Sequence, residues 1–113
     1  MKKKDRICLD KIAGYCGKII SFTDGLTREE FLENEMVIFS CSFALGQIGE
    51  LIKQLSEEFL TENHQIPWRK IVGFRNMLVH EYEKIRTDIL WEAIETGVPE
   101  LLQYAQEILR GKD

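Results

Sequence analysis

The chain has 113 residues, 44% of them hydrophobic and 30% charged, with a formal net charge of −4. That length suits one domain, and the balance is that of an ordinary globular protein, not a disordered or low-complexity one. An acidic total excludes a general nucleic-acid coat, because non-specific binding draws on Lys and Arg neutralising phosphates.

Three cysteines, Cys8, Cys16 and Cys41, form no C-x-x-C pair. They argue for free, mostly buried thiols and give no zinc-site spacing, so no metal or other cofactor is expected. No apolar run approaches the ~20 residues of a membrane span, and the basic start "MKKKDRICLDK" is followed by charge. A cytoplasmic protein with no membrane partner is the expectation.

Ile7, Ile12, Tyr15, Cys16, Ile19 and Ile20 recur at helical spacing and predict a first helix from about Asp5 to Phe22, ended by "TDG". In "TREEF", Thr27 stands three residues before Glu30, a capping-box spacing that opens a short second helix. Between Glu35 and Phe59, Val37, Cys41, Ala44, Ile48, Leu51 and Leu55 alternate steps of four and three, while Ile38, Leu45, Ile52 and Phe59 repeat every seven. This is a bundle seam, predicted as one long helix. Ala44, Gly46 and Gly49 on it are small and imply close approach by a neighbour, since glycine inside a helix costs about 1 kcal/mol relative to alanine. Phe39, Phe43 and Gly46 mark a second face, against the first helix or across a dimer.

"TENHQIP" is a polar break, and Pro67 suits the first position of a further helix that ends near His80 to Tyr82. Thr87 or Asp88 can cap the next, which carries Ile89, Leu90, Trp91 and Ile94; "TGVP" breaks it, and Leu101, Leu102, Ala105, Ile108 and Leu109 mark the last. No segment alternates with period two. The expected fold is all-α, one domain over residues 1–113, an antiparallel up-down four-helix bundle with one or two short additional helices.

Within the helix after Pro67, Trp68, Ile71, Val72, Leu78 and Val79 form an apolar stripe with Arg75 in its middle. A guanidinium there must meet a carboxylate, a bound anion or a second subunit, because burying it alone costs several kcal/mol. Glu50, near the small residues of the long helix, is the in-chain candidate. At ~100° per residue Tyr82 shares the arginine's face, whereas His80 falls ~140° away, beside Asn76 and Arg69 over Gly73. Either the helix ends before His80 and turns it back, or a symmetric dimer brings two copies of the segment together. From Pro67 to Arg86, five basic residues face two acids, reversing the chain's overall sign.

The residues R-N-M-L-V-H-E-Y, Arg75 to Tyr82, resemble the R-x-x-x-x-H-x-Y motif of the HepT-like family in the HEPN superfamily, toxin ribonucleases of toxin-antitoxin pairs. "FALGQIGELIKQLSEEF", "IPWRKIVGFRNMLVHEY" and "ILWEAIETGVPELL" resemble the family's successive blocks, in order. The resemblance implies the toxin component of a type II toxin-antitoxin system: a homodimeric, metal-independent endoribonuclease whose cleft forms where two arginine-histidine segments meet. On that implication Arg75 clamps the phosphate, His80 moves protons and Asn76 supports them. A cognate nucleotidyltransferase (MNT) antitoxin would neutralise the toxin, with AMPylation of Tyr82 as its means. The alternatives are a non-catalytic helical partner that binds a nucleotidyltransferase or nucleotide, and a structural dimerising bundle in which Arg75 pairs with Glu50.

Overall fold

In a computed structural model of the chain, residues 1–80 and 86–111 are described, together with the side chains of all of these except residues 79 and 80. Every regular element among them is helical: α1 (Lys3–Thr23), α2 (Arg28–Leu32), α3 (Glu35–Lys53), α4 (Glu57–Glu62), α5 (Trp68–His80), α6 (Thr87–Glu92) and α7 (Val98–Gly111), with a π turn (Ala93–Gly97) joining the last two.

Polar side chains at the helix starts define several of these boundaries. Gly25, the one described residue with positive φ (79°), turns the chain after α1, at a backbone angle where a side chain would strain. At α2 the capping box forms as its spacing predicts: the Glu30 amide donates to Thr27 Oγ1 at 3.1 Å, and the Thr27 amide donates to Glu30 Oε1 at 2.9 Å. Asn34 Oδ1 accepts from the Val37 amide to open α3.

The long helix predicted over 35–59 is two helices. Ser56 interrupts it, its hydroxyl accepting from the Phe59 amide to start α4. Asp5 of α1, 2% exposed, holds the break: one oxygen accepts from the Ser56 amide at 2.8 Å and the other from the Ser56 hydroxyl at 2.6 Å. Pro67 lies one position earlier than expected, outside α5, with its carbonyl accepting from the amides of Lys70 and Ile71. Neither Thr87 nor Asp88 caps α6; Arg86 occupies that place without a side-chain cap. "TGVP" is no break either. The Val98 amide bonds back to the Ala93 carbonyl, and this wider turn carries the helix past Pro99, which has no N–H to give.

α3 packs on α1 and α5, and α1 also packs on α7. The seam reading holds apart from its first position: Ile38, Cys41, Ala44, Leu45, Ile48, Leu51, Ile52, Leu55 and Phe59 are buried, while Val37 is half-buried. α1 contributes Cys8, Leu9, Ile12, Cys16 and Ile19, whereas Ile7 and Ile20, expected on the same stripe, are exposed. By length and composition α3 could cross a membrane, contrary to the estimate from apolar runs; averaged over the helix, its small residues keep the polarity low. Here it turns its apolar stripe into the core. The three cysteines are free and buried, and burial pushes the thiols of Cys16 and Cys41 up to about 12 and about 11, so both stay protonated near neutral pH. Between α3, α5, the π turn and α7 lies an apolar cavity of about 270 Å³.

Replacing Asp5 with Ala strands the Ser56 amide and hydroxyl, and should lower the free energy of unfolding by about 1.5–3 kcal/mol, the range for a hydrogen bond to a charged group. In the double variant with Ser56→Ala the two losses should add to less than their sum, because the groups share one network. Urea midpoints of the four proteins give both quantities.

Candidate functional site

Arg75 leaves the apolar stripe of α5 toward α3, and it can do so because α3 has a glycine opposite. A Cβ built on Gly49 would overlap the Cβ and Cγ of Arg75. This is the close approach that the small residues of α3 predict. It occurs at Gly49; around Gly46 nothing lies within 4 Å of where a Cβ would stand.

The guanidinium then lies mostly out of water, its side chain 17% exposed, and meets the carboxylate expected for it: Nη2 is 2.9 Å from Glu50 Oε2. Lys53 Nζ approaches the same oxygen at 3.5 Å. Nη1 donates to Asn76 Oδ1 at 2.9 Å, so Arg75, Asn76 and Glu50 form one charged cluster across the α3–α5 interface. The Arg75–Glu50 contact is ionic and not an aligned hydrogen bond, for Glu50 Oε2 is buried with no hydrogen-bond donor directed at it. Nε of Arg75 is likewise buried without an acceptor.

Arg75 and Glu50 form part of the wall of a cleft of about 320 Å³ between α3 and α5, with Phe39, Phe43, Gly46 and Leu78. Phe39 and Phe43 are 51% and 64% exposed, so the second face of α3 does not turn against α1. Ser42 and Gln47 also line the cleft. The sequence reading passed over both, although Ser42, Gly46 and Gly49 follow at steps of four and three, the spacing of one helix face.

His80 is the last residue of α5. The helix therefore does not stop before it, and at helical pitch positions 75 and 80 stand ~140° apart around the axis. The side chain of His80, and Tyr82 altogether, lie outside the described residues. On the face of α5 away from the cleft, Arg69, Gly73 and Asn76 are exposed, with nothing within 4 Å of where a Gly73 Cβ would be. Of the basic residues after Pro67, Arg86 is turned onto Asp88 in a fork, Nε to Oδ1 at 3.2 Å and Nη2 to Oδ2 at 2.6 Å. That hydrogen bonding holds the Asp88 carboxyl below the usual carboxylate range. Among the described residues, no three His, Cys, Asp or Glu side chains converge as a metal site would require.

Alanine at Gly49 should force α5 off α3 and cost about 1–3 kcal/mol. Alanine at Gly46, in open space on the same helix, should instead stabilise by about 0.4–1 kcal/mol. Chemical denaturation of the two variants checks this opposition of sign.

The family model described as "Ribonuclease HepT-like" matches residues 12–108, a stretch that contains Glu50, Arg75, Asn76, His80 and Tyr82. Among curated proteins, the "Putative RNase TTE0752" of Caldanaerobacter subterraneus subsp. tengcongensis is 33% identical over 108 residues, 96% of this chain and 96% of the relative. The "Putative RNase MJ0127" of Methanocaldococcus jannaschii is 33% identical over 97% of this chain and 92% of its own length. The "Probable ribonuclease HepT" of Thermococcus cleftensis is 31% identical over 89% and 92%. No solved structure matches the chain. With an all-helical fold and a model match over nearly its whole length, the chain belongs to the ribonuclease HepT-like family of the HEPN superfamily.

Proposed function

We propose that the protein is a metal-independent endoribonuclease, the toxin of a type II toxin-antitoxin pair. The observation that carries this reading is the cationic side chain of the R-x-x-x-x-H-x-Y segment, held in a surface cleft with its Nε–H unmatched by any protein acceptor. Guanidinium donors recognise phosphate by paired hydrogen bonds, and Arg75 lines the cleft with a donor still free of any protein acceptor.

RNA cleavage without a metal uses the ribose 2′-oxygen as nucleophile. It attacks phosphorus as its proton is removed, and the 5′-oxygen of the next nucleotide leaves with a proton, giving a 2′,3′-cyclic phosphate and a 5′-hydroxyl. His80 serves as the acid/base, since an imidazole's ordinary pKa lies near neutrality. Arg75 stabilises the charge that builds on the phosphoryl oxygens, and Glu50 and Asn76 hold the guanidinium in place. Two proton transfers call for two groups, and a homodimer that brings two arginine-histidine segments into one cleft supplies the second His80. α1, α3, α5 and α7 would form the antiparallel up-down bundle that carries this seam.

The regulating partner is a nucleotidyltransferase antitoxin that adds AMP to Tyr82. A bulky anionic group on that residue would compete with RNA for Arg75. A cytoplasmic location follows from such a substrate and partner. The unmatched Nε of Arg75 also suits a second reading, a non-catalytic helical partner that binds a nucleotidyltransferase or nucleotide with the arginine holding an anion, while the Arg75–Glu50 pair is what a structural dimerising bundle would show.

Purified protein should cleave RNA equally with and without chelator and leave cyclic phosphate ends. His80→Ala should lower the rate by about 10²–10⁴-fold, and Arg75→Lys by about ten- to a hundredfold through loss of the guanidinium fork. Tyr82→Phe should cleave normally and escape AMP transfer, read by mass spectrometry. Full activity of His80→Ala overturns the catalytic assignment, and absence of cleavage together with tight binding to a nucleotidyltransferase establishes the second reading.

A further inference from the structure

Among the described residues, the buried side-chain nitrogen and oxygen atoms without a hydrogen-bond partner are Ser42 Oγ, Glu50 Oε2 and Arg75 Nε. All three belong to residues lining the one cleft between α3 and α5. Folded proteins pair nearly all their buried polar atoms, so three atoms short of a hydrogen bond in one concavity, one of them a carboxylate oxygen held only by its ionic contacts with Arg75 and Lys53, point to a polar ligand. Ser42 is 8% exposed, and its hydroxyl can both give and accept a hydrogen bond.

The three differ in chemistry. Arg75 offers an N–H to an anion, Glu50 an acceptor to a hydroxyl or amine, and Ser42 either role. Beside them stands an aromatic surface. Phe43 is 64% exposed on the turn of α3 that follows Phe39, and Gly46, one turn after Ser42, leaves the floor between them open. An anion, hydrogen-bonding edges and a flat face together describe a nucleotide.

We propose that this cleft seats one nucleotide of single-stranded RNA, with its base stacked on Phe43 and its phosphate on Arg75, while Ser42 and Glu50 hydrogen-bond the sugar or base edge. The inference rests on the ribonuclease reading and adds the substrate's form to it. A base within a duplex is already stacked on its neighbours and cannot lie on Phe43, so the seat selects unpaired RNA. A second copy of the chain laying an apolar helix over Phe43 would leave the three polar atoms unmet, which is why the occupant is a nucleotide.

The test uses the full chain and a short, fluorescently labelled single-stranded oligonucleotide with 2′-fluoro sugars, which cannot supply the attacking hydroxyl. Binding is followed by fluorescence anisotropy and molar mass by light scattering. Phe43→Leu keeps the apolar bulk and removes the stacking face; it should raise Kd about tenfold or more at unchanged mass, while Phe43→Trp binds as tightly as the parent. Ser42→Ala should weaken binding severalfold, and the same sequence as a duplex should bind less well than the single strand. Equal Kd for Phe43→Leu and the parent overturns the proposal, as does no binding by the parent. A fall in molar mass on that substitution also overturns it, assigning the face to a second copy. Phe43-dependent binding without cleavage of the matching unmodified RNA would leave the seat standing and remove the ribonuclease reading. Cleavage with KM and Kd indifferent to Phe43 would do the reverse.

Discussion

A guanidinium placed in the interface of two packed helices has to be accommodated by everything around it. Removing that charge from water costs several kcal/mol unless other groups replace the lost solvation. Here Glu50 stands across the interface and Asn76 follows on the same helix, while Gly49 gives up its side chain so that the arginine stem can pass. These four residues depend on one another. Without Gly49 the stem has no path, and without Glu50 the charge has no counterpart. The α3–α5 contact thus combines two requirements that usually oppose each other, tight helix packing and a polar, ligand-ready surface.

The rest of the core is built so that this one contact can be unusual. α3 is buried by apolar residues along most of its length, and its one cysteine and the two of α1 behave as small hydrophobes. Asp5, fully buried where Glu50 is half-exposed, is in a different condition, since both its oxygens accept from a single residue, Ser56. One acidic group closes a structural joint. The other keeps an oxygen unmet beside a cleft, and that contrast separates framework from site.

Much of this was legible in the sequence because it is periodic or local. The heptad seam of α3, the capping box at Thr27, the break at "TDG" and the pairing of Arg75 with Glu50 all follow from spacing and from the cost of an isolated buried charge. The features that escaped depend on partners far away in the chain. Nothing near Ser56 reveals that Asp5 will stop α3 there, and the seam's rhythm continues through the interruption. Pro99 reads as a helix breaker because its missing N–H is judged against α geometry, whereas a wider turn tolerates it. Ser42 carries no signal of its own on a core helix. Its meaning lies in its neighbours across the cleft, Arg75 and Leu78, which no window of local sequence contains.

The π turn between α6 and α7 also sets a phase. It takes up one residue more than an α turn, and the buried positions Leu90 before it, Ile94 within it, and Leu101 and Ala105 after it face one core. Forcing ordinary α geometry on Ala93–Gly97 with no residue removed would rotate all of α7 by about 100° relative to α6. The stripe that α7 lays on α1 would then swing toward solvent, and the wall it gives the apolar cavity would go with it. In this segment geometry and residue number compensate each other, so a relative one residue shorter between positions 93 and 97 should carry an ordinary α turn there with its last helix in the same phase.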